Sequence, residues 1–166
     1  MVRSLTVDEE LFDRNFVSRA IYGSISVLAV VLVLQAHPPG AAKAAATLFG
    51  TSLAIALAEA YSETIAEILS QRRNLDRHEA AEVWARAKPI LLAANIPTTI
   101  VLLAAIRVVA VDTALEFAEY AIYVSLFIWG ARVGQLLHDS WLRTLTSGLI
   151  TVAIGLLIGL IKVVFH

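Results

Sequence analysis

Phe16 to Gln35 is an almost unbroken apolar run, and comparable runs recur at about 41–61, 90–110, 113–133 and 145–164. No other feature restricts the fold so strongly. At 1.5 Å per residue, ~20 apolar residues in a helix cover the ~30 Å of a bilayer's hydrocarbon. A backbone in lipid must satisfy its own N–H and C=O groups, so each run is predicted to be a transmembrane helix. Composition points the same way: 58% of the 166 residues are hydrophobic, 16% are charged, and the mean hydropathy is +0.76. The expectation is an all-α integral membrane protein, one transmembrane domain over 1–166 with five spans.

The breaks between runs are legible. His37-Pro38-Pro39-Gly40 is a turn, Pro89 opens the third span, and Pro97 is expected to kink it. The link to the fourth span is very short, around Asp112, and a polar connection from Gln135 to Arg143 precedes the fifth. The second helix should run on to about Ser70, and the polar, helix-forming stretch up to Lys88 lets it extend into water. Gly155-Leu-Leu-Ile-Gly159, with Thr151 one turn earlier, is a small-residue ridge suited to close packing within or between subunits. Trp129 and Trp141 suit an interfacial belt.

Of the 13 Lys and Arg residues, ten fall on one side of the spans: Arg3, Arg14, Arg19, Arg72, Arg73, Arg77, Arg86, Lys88, Arg132 and Arg143. Lys43, Arg107 and Lys162 fall on the other. The positive-inside rule therefore predicts the N-terminus in and the C-terminus out, which an odd number of spans requires. Residues 1–15 mix Asp8, Glu9, Glu10 and Asp13 with their arginines, unlike the basic start of a secretory signal, so Leu34-Gln35-Ala36 is not expected to be a cleavage site.

Several function classes fall away. The net charge of −1 gives no basic excess for nucleic acid, and the absence of cysteine removes disulfides, thiolate ligands and thiol nucleophiles. No nucleophile–base pair, phosphate loop or dinucleotide fingerprint is present, so neither an enzyme nor a tightly bound cofactor is expected.

What remains is carboxylates. Glu59, Glu63 and Glu67 lie four residues apart where the second span leaves the bilayer, and that spacing puts them along one helical face. An ionised carboxylate at bilayer depth costs at least ~2.5–3.5 kcal/mol, so each should be protonated, paired, or facing water or a cation. Oxygen ligands suit a hard cation that exchanges with protons. Alternatively the helix has already emerged, and Glu67 pairs with Arg72 or Arg73. Asp112, Glu116 and Glu119 share a face at the opposite mouth, where they can gather cations or simply complement a helix N-terminus. Ser24 and Ser26 on span one, with Thr47, Thr51 and Ser52 on span two, line a polar path or permit close packing. His78 and Glu82 have a spacing that can hold a transition metal but lack the second histidine of a zinc-protease helix. Arg107 and Arg132, near span ends, can snorkel to the interface.

Two regions resemble the vacuolar iron transporter family. On span two the likeness is carried by Ala56-Leu57-Ala58-Glu59, Ser62-Glu63 and Ser70-Gln71-Arg72. On spans four and five it is carried by Leu126-Phe127-Ile128-Trp129-Gly130-Ala131-Arg132, Ser140-Trp141-Leu142-Arg143, Gly148 and Gly155 to Gly159. The chain departs from the family pattern in having Ser26-Val27 where the family has Asp-Gly and Glu59 where it has methionine. The connection Ser70–Lys88 is also too short for the family's glutamate-rich cytoplasmic metal-binding domain. The resemblance implies a divergent five-span homodimer that moves ferrous iron or manganese in exchange for protons, with the divalent cation as transported ligand and membrane lipid as its surroundings. Glu59, Glu63 and Glu67 would bind the ion, and Ser26, Glu116 and Glu119 would line the path. The membrane would be the plasma (inner) membrane in a bacterium. The alternatives are a scaffold or partner subunit that kept the fold and lost the site, and a small-cation channel.

Overall fold

A computed structural model describes residues 7–137 and 140–164, and the side chains of 15–137, 140–161 and 164. Arg3 lies outside the described residues, as do the side chains of Arg14 and Lys162. The described residues form six helices and no strand: α1 (Val7–Ala36), α2 (Ala41–Gln71), α3 (Arg77–Arg86), α4 (Lys88–Ala105), α5 (Val111–Leu137) and α6 (Trp141–Val164). All but α3 are long and apolar enough to cross a membrane. The chain is an all-α, multi-pass membrane protein.

Helix α1 is the centre of the bundle and packs against α2, α4, α5 and α6. Leu28, Val31, Leu48, Val101, Leu115, Ile122 and Leu126 are buried where α1, α2, α4 and α5 meet. Helices α5 and α6 form an antiparallel hairpin with the most extensive contact in the fold. A Cβ on Gly134 would stand 2.7 Å from Thr144 Cα, so only glycine admits this approach. Gly23 has the same role between α1 and α4, where a Cβ would stand 2.9 Å from Ile90 Cα. The Gly155–Gly159 ridge lies inward, over Leu126, Leu28 and Leu32, and so serves packing within the subunit. Outward faces carry exposed Leu53, Leu57, Ile96, Val124, Ile128 and Leu157, as lipid-facing helices should.

Helix ends depart from the predicted spans for local reasons. The third span ends at Ala105 rather than near 110, because Arg107 adopts a left-handed conformation (φ 61°). There the Arg107 and Val108 amides donate to Ala104 O and Leu103 O at 3.0 and 3.1 Å, a Schellman closure. Asp112 accordingly sits in the first turn of α5, not in the link, and α6 begins at Trp141, four residues early. Helix α4 runs unbroken through Pro97. Helix α2 does continue to Gln71, as expected, but left-handed Arg72 (φ 53°) stops it, and α3 starts afresh. Its start is a capping box: Asp76 accepts from the His78 and Glu79 amides, and the Glu79 side chain accepts from the Asp76 amide.

Candidate functional site

The two ends of the bundle differ in charge, and each gathers a polar cluster. At the end carrying Arg19, Arg73, Arg86 and Lys88, Glu63 is held by two arginines from different elements. Arg19 Nη2 on α1 donates to Glu63 Oε2 at 2.5 Å, and Arg86 Nη1 on α3 donates to Oε1 at 2.9 Å. The Arg19 and Glu63 side chains are only 16% and 18% exposed, whereas Arg86 is 44% exposed. A charge-assisted pair this well buried is strong, because little water competes for its atoms. Arg19 Nη1 is buried without a hydrogen-bond partner.

The three α2 carboxylates expected to act together meet different surroundings. Glu59, one turn deeper than Glu63, is half-buried and has no hydrogen-bond or ion-pair partner among the described residues. Glu67 accepts from Gln71 Nε2 at 2.6 Å and does not reach Arg72 or Arg73; Arg73 instead pairs with Glu79. Among the described residues no group of three or more His, Asp or Glu side chains is placed to hold a metal ion. A cation at Glu63 would have to displace a guanidinium from each oxygen it used. His78 and Glu82 contact each other at 3.3 Å on an exposed face of α3.

At the opposite end, Asp112, Glu116 and Glu119 on α5 line a cleft of about 520 Å³ together with Gln35, Pro38, Leu115 and Tyr120. Among the described residues no Lys or Arg lines it. Glu119 is half-buried and accepts from Gln35 Nε2 at 2.8 Å and from Tyr123 Oη at 2.6 Å. The helix dipole favours acids only in the first turn, which accounts for Asp112 but not for Glu119, two turns further in. Both hydrogen bonds are donated to Glu119, so its two oxygens act as acceptors here. The three carboxylates line one cleft but are not gathered closely enough to hold a metal ion directly.

Between the ends lie hydroxyls. Ser24 and Thr98 are buried without hydrogen-bond partners, Ser52 donates to Leu48 O at 2.8 Å, and Ser26 is half-buried. Ser52 is therefore satisfied by its own helix, whereas Ser24 and Thr98 keep unmet hydrogen-bonding capacity in the interior.

Sequence spacing singles out Glu59, Glu63, Glu67, Glu116, Glu119 and Ser26, but not the side chains that contact Glu63 and Glu119. Arg19 was legible: an ionisable residue just inside an apolar run demands a partner. Gln35, read only as the end of span one, gave no such signal. Phe16 packs on Trp129 with ring centroids 5.5 Å apart, so Trp129 joins α1 to α5 and is only half-buried, while Trp141 is 70% exposed. No protein-family model, curated protein or solved structure matches the chain.

Proposed function

We propose that the protein moves a divalent cation across its membrane in exchange for protons. The observation that carries this reading is the acidic cleft, lined by three carboxylates and Gln35 and, among the described residues, by no basic one. Oxygen donors of this kind suit a hard or borderline divalent ion and release it when protonated. The cleft receives the hydrated ion, Glu59 is the next carboxylate available to it, and the Arg19–Glu63–Arg86 cluster closes the far end. Glu59 supports the reading because an unpaired carboxylate on a membrane-spanning helix calls for a proton, water or a cation.

Ferrous iron and manganese are the ions that the resemblance to vacuolar iron transporters implies, together with a homodimer and, in a bacterium, the plasma (inner) membrane. Positive-inside counting puts the basic end in the cytoplasm and the acidic cleft outside.

A second reading, a membrane scaffold without transport, is favoured by the occupation of both Glu63 oxygens by arginine. Titration calorimetry of manganese into the purified protein separates the two. The transport reading expects binding that weakens on acidification and is reduced in Glu116→Gln and Glu119→Gln. Folded protein that takes up no manganese or ferrous iron favours the scaffold.

A further inference from the structure

The basic end holds a second cleft, of about 500 Å³, between the start of α1 and the corner where α3 meets α4. Its walls are of two kinds. Arg86, Lys88 and Asn15 supply polar groups, and Phe16, Ala85, Pro89 and Leu92 supply an apolar floor. Among the described residues no acidic side chain lines it. Arg86 gives Nη1 to Glu63 and remains 44% exposed, while Lys88 has no ion-pair partner among the described residues. Among the described residues, the cleft is lined by two cations, Arg86 and Lys88, and Arg86 shares Glu63 with Arg19.

The apolar floor continues along the membrane-facing side of α4, where Leu92 and Ile96 are 52% and 55% exposed at a four-residue spacing. Beside the cleft, Trp84 on α3 is 51% exposed, as an aromatic side chain at a headgroup boundary would be. A water-soluble anion would satisfy the cationic rim but leave the floor uncovered. A zwitterionic lipid would cover the floor but set its own cation against Lys88.

We propose that this cleft binds the phosphate headgroup of an anionic phospholipid, with Lys88 and Arg86 on the phosphate and one acyl chain along Leu92 and Ile96. Basic pockets between helices at the cytoplasmic leaflet recognise such headgroups by charge, while the chain supplies buried apolar area. Because Arg86 also holds Glu63, a lipid phosphate here draws on the same guanidinium that ties α3 to α2.

Full-length protein taken from vesicles of equal parts phosphatidylglycerol and phosphatidylcholine, then analysed by native mass spectrometry, tests the assignment. The expected result is selective retention of phosphatidylglycerol, weakened about fivefold by Lys88→Gln, as for one cation near a membrane surface. Leu92→Trp, which fills the floor at an exposed position, should weaken it as well, and excess inorganic phosphate should not displace the lipid. Equal retention of the two lipids by the wild-type protein would overturn the proposal, as would undiminished retention in both variants. Displacement by inorganic phosphate would assign the site to a free anion instead. The headgroup comparison uses only the wild-type chain, so it decides the matter even if a variant fails to fold.

Discussion

Arg19 and Glu63 are 44 positions apart in sequence, yet Arg19 Nη2 stands 2.5 Å from Glu63 Oε2, with both side chains more than four-fifths buried. The pair ties the central helix α1 to the end of α2, and Arg86 on α3 completes the cluster from the other side. It makes Glu63 a structural anchor between three helices.

Removing the charge of that anchor leaves Arg19 charged and without its counter-ion. Glu63→Gln should lower stability by ~2–3 kcal/mol, the scale of a charge-assisted bond lost from a poorly solvated partner. Replacing both residues, as in Arg19→Met with Glu63→Met, should recover much of the loss. Denaturant unfolding in detergent checks both, and a double variant no better than Glu63→Gln alone would mean that the two side chains do not act as a pair.

The glycines divide by what stands opposite them. Gly23→Val and Gly134→Val force helix backbones apart and should each destabilise by ~1–3 kcal/mol. Gly50 has nothing within 4 Å of where its Cβ would be, so Gly50→Ala should be neutral or stabilising by up to ~1 kcal/mol. Thermal unfolding of the three variants tests the contrast.

The start of α3 should respond to acid only at low pH. The Arg73 guanidinium, followed by the Asp76 amide, holds the Glu79 carboxyl at about 2, below its ordinary 4.5. A depressed carboxyl contributes stability above the ordinary value and loses it as pH falls through the folded one. The cap should therefore hold at pH 4.5 and loosen towards 2. Side-chain NMR titration of Glu79 gives the midpoint, and a midpoint near 4.5 would show that the Arg73 contact does not persist in solution.

The α2 carboxylates should separate by function. Glu59→Gln removes the unpaired group on the span and should reduce ion uptake at least tenfold. Glu67→Gln only changes an exposed hydrogen bond to Gln71 and should leave uptake within about twofold. Initial rates in proteoliposomes measure both.

Much of the architecture follows from apolar run length, which needs no tertiary information. The helix ends were less legible, because Arg107 in a left-handed conformation is a residue choice that carries no stop signal, unlike Gly or Asn. The start of α3 was readable in principle from Asp76-Arg77-His78-Glu79, a capping-box spacing hidden in a stretch that looked like continued helix. The acidic stripe was visible as spacing on α2, but spacing within one helix says nothing about what approaches it from another. Arg19 and Arg86 separate Glu63 from its neighbours, and Gln35 with Tyr123 holds Glu119, through contacts that only the packed bundle creates.

Proton-coupled transport through the acidic cleft is tested by manganese uptake into proteoliposomes with and without an imposed pH gradient, comparing the wild type with Glu119→Gln. The expected result is uptake that requires the gradient in the wild type and falls at least tenfold in the variant, which keeps the side chain's shape but removes its charge from the cleft. Uptake that proceeds equally without a gradient, or that is unchanged by Glu119→Gln, would contradict proton-coupled transport through the acidic cleft.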